Sequence, residues 1–215
     1  MNQKKRIKVY LYTRYERFWH WLQAAIIIFL MVTGFEIHGT YTLMGYETAV
    51  TAHNFVGLSW LVLFAFFVFW LFTTGEWRQY IPTTKKLIDV ALYYASGIFQ
   101  GKPHPVVKSP GAKHNPLQRL TYLALSALLL PVQMISGLFY YTWNLWGGVA
   151  WSLAPVALLH TLVAFLLLSF LVVHVYMTTT GHSIFSHIAG MITGWEEISE
   201  TTTIQEWEVA DKRRS

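Results

Sequence analysis

Four long apolar stretches dominate the chain, at about residues 15–37, 49–74, 117–141 and 153–179. Each is long enough to cross a bilayer as a helix, which takes about 20 residues. In hydrocarbon every backbone N–H and C=O must be bonded within its own segment or to protein neighbours, so such stretches fold as helices packed on one another. The pattern predicts an all-α membrane protein, a four-transmembrane-helix bundle occupying residues 1–180. Hydrophobic residues make up 54% of the 215 positions and charged ones 13%, about half the charge of an ordinary soluble domain. The first stretch follows a basic start. It runs too long for a signal-peptide core and lacks a small-residue cleavage site, so it reads as a retained span.

An even number of spans puts both ends on one side, and charge says which. All 16 Lys and Arg residues fall before or at the start of the first span, between 75 and 119, or in the tail. The loops at about 38–52 and 142–152 have none. By the positive-inside rule both termini and the long loop are cytoplasmic, in a multi-pass protein of the cell inner membrane. The net charge of +5 is thereby a topology signal, and nucleic-acid binding loses its support. Within the long loop, a proline start and apolar Leu87, Val90, Ala91 and Tyr94 predict an interfacial helix over about 82–100. Residues 181–215 read as a polar cytoplasmic tail, helical in part.

With no cysteine in the chain, c-type haem attachment, iron–sulfur ligation, zinc–thiolate sites and disulfides are all excluded. What interrupts the spans is mainly histidine, serine, threonine and asparagine rather than charge, and four of the histidines lie within them: His20, His53, His160 and His174. An ionisable side chain at membrane depth is a functional hypothesis by default, although any one of these also fits a neutral imidazole bridging two helices. Their depths fall into pairs. His20 and His174 lie near the cytoplasmic ends of their spans, His53 and His160 near the outer ends. His160 and His174 are 14 residues apart, roughly 21 Å along a helix and within about 40° of the same face.

Two haems stacked across the membrane, each held by two imidazoles, account for this economically. His20 with His174 would ligate the inner haem iron and His53 with His160 the outer. Small residues at Ala24, Gly57, Ala164, Gly34 and Gly137 would let a porphyrin lie against a helix. Arg14 and Arg17 are candidates for the propionates, or solvated topology determinants. His38, His104, His182 and His187 read as solvated loop or boundary residues.

The segment KHNPLQRLTY enters the third span. Pro116 suits a first helical turn and Asn115 its cap. Asn115 and Gln118 project from one face, where their amides would hydrogen-bond a quinone carbonyl while His114 exchanges its proton. The same residues read equally as a helix cap and an interface anchor.

RFWHW in span one, AHNFVG opening span two, NPLQ before span three and LLHTLVAFLLLSFLVVHVY in span four resemble the membrane cytochrome b of respiratory formate dehydrogenases, nickel–iron hydrogenases and thiosulfate reductases. The resemblance covers about residues 12–180. It implies two haem b groups with the same ligand pairing, and a site for menaquinone or ubiquinone beside the inner haem at Asn115 and Gln118. It also implies an iron–sulfur or multihaem partner on the outer face, attached to a catalytic subunit. The chain would then be an electron-transfer subunit of a quinone-linked complex, with no bond chemistry of its own. Two rival classes are a haem-free membrane anchor and a small proton-coupled transporter using buried histidines. Neither gives a reason for the paired depths.

Overall fold

The computed structural model describes residues 6–106, 113–146, 152–181 and 183–199. The order is β1 (Arg6–Tyr10), α1 (Arg14–Ile37), α2 (Tyr46–Thr74), α3 (Leu87–Leu92), α4 (Pro116–Ala124), α5 (Leu130–Tyr141), α6 (Trp143–Trp146), α7 (Ala154–Thr178), α8 (Ser186–Thr193) and β2 (Trp195–Ser199). Among the described residues four helices are long and apolar enough to cross a membrane: α1, α2, the run Pro116–Tyr141 that joins α4 to α5, and α7. Large apolar side chains such as Phe55, Phe66, Phe69, Leu158 and Val172 are exposed on the chain, which suits lipid contact and would be costly in water.

Local chemistry sets where these helices start and bend. Thr13 and Glu16 form a reciprocal cap at the head of α1: the Thr13 N–H donates to Glu16 Oε2 (2.7 Å) and the Glu16 N–H to Thr13 Oγ1 (3.3 Å). At the other end of α1, the buried Glu36 carboxylate accepts from the backbone N–H groups of Leu43, Met44 and Gly45, at 2.8, 2.7 and 2.8 Å. Three successive N–H groups make a concavity suited to an anion, and α2 begins directly after it. The third span is interrupted by a π-turn at Leu125–Leu129. Pro131 stands two residues beyond it; it lacks an N–H, and its ring crowds the carbonyl four residues back.

One expectation needs correction. The interfacial helix does not start near 82: Ile81–Thr84 is extended or irregular, and helix runs from Leu87, through a π-turn at Tyr93–Gly97, to a 3₁₀ turn at Ile98–Gln100. Thr83 Oγ1 accepts from the Lys85 N–H (3.3 Å) and Lys86 takes a left-handed φ of 54°, local bonding that competes with helix. The fold is mostly helical, as the sequence predicts, with one small two-stranded addition. β1 and β2 pair antiparallel, with Arg6 opposite Ser199, Lys8 opposite Glu197 and Tyr10 opposite Trp195. The described part of the tail is helical in part, at α8, and also supplies the strand β2.

The chain divides into two compact units. The first holds residues 1–17, 71–125 and 174–215; the second holds 18–70 and 126–173. In the first, the β1–β2 pair is closed at Gly194, whose carbonyl accepts from the N–H groups of Leu11 (2.9 Å) and Tyr12 (3.3 Å). Gly194 has φ +89°, and a Cβ there would meet Tyr10 at 2.5 Å and the Tyr12 carbonyl at 2.8 Å, so only glycine fits. In the second, α1 and α2 run antiparallel. Trp19 stacks on Phe67 (4.8 Å), the Trp60 indole donates to Gln23 Oε1 (2.9 Å), and Thr33 reaches His53.

Candidate functional site

His53 on α2 and His160 on α7 come together in the second unit, with ring centroids 6.4 Å apart and planes at 73°. That separation has a chemical meaning. With metal–imidazole nitrogen bonds of about 2 Å, two imidazoles that shared one metal would have ring centres roughly 6 Å apart, close to the separation found. Among the described residues no three His, Asp or Glu side chains gather as a metal site. Two imidazoles alone suit a metal whose remaining positions come from a macrocycle, as iron in haem.

Neighbouring elements hold both rings. Thr33 Oγ1 lies 2.8 Å from His53 Nδ1, Ser136 Oγ lies 3.1 Å from His160 Nδ1, and Gln133 Nε2 lies 3.1 Å from His160 Nε2. Thr33, Gln133 and Ser136 are all buried. Gly34 and Gly137 flank the same rings. A Cβ at Gly137 would stand 3.0 Å from His160 Cε1, tight enough to displace the ring, and one at Gly34 would sit 3.6 Å from His53 Cε1. Both glycines therefore lie against the imidazoles. Buried Gln133 Oε1 has no hydrogen-bond partner among the described residues, so a polar atom remains beside the pair.

His20 and His174 are half-buried and belong to different units. His20 meets Trp21 edge-on at 5.1 Å. Arg14 is exposed, whereas Arg17 donates through Nη1 to the Ile192 carbonyl and so ties the head of α1 to α8.

At the head of α4, Asn115 and Gln118 form a capping box. The Gln118 N–H donates to Asn115 Oδ1 (2.9 Å) and the Asn115 N–H to Gln118 Oε1 (3.0 Å), while Asn115 Nδ2 donates to the Tyr94 hydroxyl (3.2 Å). The capping role is therefore realised, with Asn115 buried and Gln118 half-buried. His114 packs between Tyr80 (5.7 Å) and Tyr122 (4.9 Å). Next to it, buried Lys113 pairs with Glu16 at 2.6 Å and Glu76 at 3.7 Å, a triad that separate sequence segments gave no reason to join.

Two histidines read as solvated are half-buried and have side-chain partners. His104 sits edge-on to Tyr93 at 4.8 Å with its Nε2 3.2 Å from the Tyr94 hydroxyl. His187 pairs through Nδ1 with buried Glu196 at 2.9 Å. His38 is exposed, as expected, and His182 lies outside the described residues.

The family model described as prokaryotic cytochrome b561 matches residues 11–194. Cytochrome YdhU of Escherichia coli (strain K12) is 27% identical over 199 residues, a match covering 87% of this chain and 74% of that protein. The Ni/Fe-hydrogenase B-type cytochrome subunit of Rhodobacter capsulatus is 26% identical over 200 residues, covering 80% and 74%. No solved structure matches the chain. The chain belongs to the prokaryotic cytochrome b561 family: it is a b-type cytochrome, a haem-binding, multi-pass membrane subunit of electron transport.

Proposed function

We propose that the chain is the dihaem electron-transfer subunit of a respiratory oxidoreductase, linking the quinone pool to a redox partner on the outer face. The observation that carries this is the His53–His160 pair, spaced at 6.4 Å and backed by hydroxyls. His53 and His160 ligate the outer haem; His20 and His174, matched in depth at the other membrane face, ligate the inner one. When bound, a bis-imidazole haem supplies one-electron transfer with no open coordination position. The protein's part is to fix the imidazoles, exclude water with α1, α2, α5 and α7, and set the spacing along α7.

Quinone binds at the head of α4. A quinone carbonyl needs donors, and the capping box turns the amide oxygens of Asn115 and Gln118 towards backbone N–H groups. Their amide nitrogens are then the groups that face a quinone, with His114 exchanging the proton. Arg14 and Arg17 lie at the head of α1, where basic side chains would neutralise propionates. The pairing of β1 with β2 brings residues 6–10 and 195–199 together, and the charge split supports the cytoplasmic side of a cell inner membrane for both. The outer partner is an iron–sulfur or multihaem subunit joined to a catalytic subunit. The named hydrogenase cytochrome relative favours a partner of that kind.

A dithionite-reduced spectrum of the purified chain tests the reading. Two b-type components are expected, with His53→Ala and His160→Ala each removing the same one and His20→Ala and His174→Ala the other. A colourless wild type, or variants that lose no haem, would overturn it.

A further inference from the structure

Each outer imidazole is backed at Nδ1 by a hydroxyl from a different helix, and each hydroxyl already has somewhere to send its own proton. Thr33 Oγ1 lies 3.0 Å from the Phe29 carbonyl and 3.2 Å from that of Leu30, the back-bonding geometry of a threonine inside a helix. Ser136 Oγ lies 3.1 Å from the Gln133 carbonyl. A hydroxyl has a single hydrogen. With that hydrogen directed at a backbone carbonyl, the oxygen can meet the imidazole only as an acceptor, so the proton of each ring must reside on Nδ1. Around His160 the assignment closes on itself. Gln133 presents its Nε2 donor to the ring's other nitrogen at 3.1 Å, which fits an unprotonated Nε2 whose lone pair iron would take in place of that amide.

We infer that Thr33 and Ser136 are positioning residues for the outer haem, holding His53 and His160 as Nδ1–H tautomers so that both Nε2 lone pairs are presented to iron. This rests on the proposed ligation by His53 and His160. It adds a tuning role, because an acceptor on Nδ1–H makes the imidazole a stronger donor and favours the oxidised metal. Both hydroxyls are buried, Thr33 at 0% and Ser136 at 4% exposure, so water cannot substitute for them without opening the packing between helices. Gly137 belongs to the same device, since the Ser136 bond needs the His160 ring pressed against α5, where a Cβ would intrude at 3.0 Å.

The test is an optical redox titration, with electron paramagnetic resonance of the ferric haems, on the purified chain carrying Thr33→Val, Ser136→Ala or both. Thr33→Val keeps shape and removes the acceptor. The outer haem should become easier to reduce: at its wild-type midpoint, the reduced-to-oxidised ratio should rise about 3- to 10-fold per variant, the worth of one net hydrogen bond. The effect should be larger in the double variant, and the outer low-spin ferric signal should move. The inner haem should keep its midpoint, and Thr33→Ser should restore wild-type behaviour. Full haem content with unmoved outer midpoint and ferric signal in both single variants overturns the inference. If Thr33→Val does not accumulate, Ser136→Ala decides alone. His53→Ala and His160→Ala separate the two levels. If neither loses a haem, the ligand pairing itself fails. If each loses the outer haem while the hydroxyl variants are silent, only the positioning role fails.

Discussion

Tyr80 illustrates how a single side chain at the head of α4 is held in one protonation state. Burial, then the nearby Tyr122, Glu16 and Glu76, push its hydroxyl well above the usual phenol range. The folded chain therefore prefers the neutral phenol more strongly than the unfolded chain does. A group raised in this way gives stability that is complete below the unfolded value of 10.0 and is lost as pH climbs above it towards the folded value. Thermal unfolding in detergent should accordingly show a midpoint that falls above about pH 10 in the wild type. The fall should be shallower in Tyr80→Phe, and parallel curves would remove Tyr80 from the account. Nearby, Lys113 between Glu16 and Glu76 places one buried cation among acidic groups. Such a triad tolerates burial only while all three members stay together.

The head of α4 is the element on which the quinone reading turns, because one pair of side chains serves two purposes. As a cap, Asn115 satisfies an N–H that the helix itself cannot, and Asn115→Ala should cost about 1 kcal/mol. Asn115→Asp separates the roles: a carboxylate caps as well as an amide but has no N–H to offer a carbonyl oxygen. Expected for Asn115→Asp are an unchanged thermal midpoint, full haem content and a several-fold loss of quinol-dependent haem reduction. Wild-type reduction in that variant would leave Asn115 with the cap alone. Sequence could locate this helix start, since Asn-Pro and a glutamine three residues on are a recognisable signature. It could not say that Asn115 would also bond Tyr94, because that contact depends on how the segment 87–100 folds back. The misplaced start of α3 has the same origin. Pro82 looked like an opening turn, and the Thr83 bond to Lys85 with the left-handed Lys86 postponed the helix to Leu87.

At the scale of the whole molecule, the segment before the first span is joined to the one after α8. Lys8 faces Glu197 across the β1–β2 pair, and Tyr10 meets Trp195 edge-on at 5.3 Å, contacts of the kind that stabilise a two-stranded ribbon. With four spans between them, β1 and β2 share a side of the membrane, and the positive-inside rule leads us to propose the cytoplasm for that side. The cysteine-free sequence permits a direct check. Single variants Thr40→Cys, in the α1–α2 loop, and Lys102→Cys, after α3, should react with an impermeant thiol reagent from opposite faces. Thr40→Cys should label in intact cells, and Lys102→Cys only in inverted vesicles. The reverse pattern would invert the topology and with it the assignment of inner and outer haems.

The sequence by itself determined the spans, their number, the charge asymmetry and the depth of each histidine. A bilayer imposes a fixed length of helix, and helical geometry alone relates His160 to His174. What only the tertiary structure decided is which groups meet across helices: His53 with His160, Thr33 behind one ring, Ser136 and Gln133 around the other, and Lys113 between two glutamates. The physical reason lies in the spans themselves. Helices as uniformly apolar as α2 and α7 carry little sign of which face turns inward. A buried hydroxyl in such a helix looks the same in sequence whether it bonds its own backbone or a neighbour's imidazole. The rotation of each helix is set by packing against the others, and only with those rotations fixed do two well-spaced histidines become a pair that could share one iron.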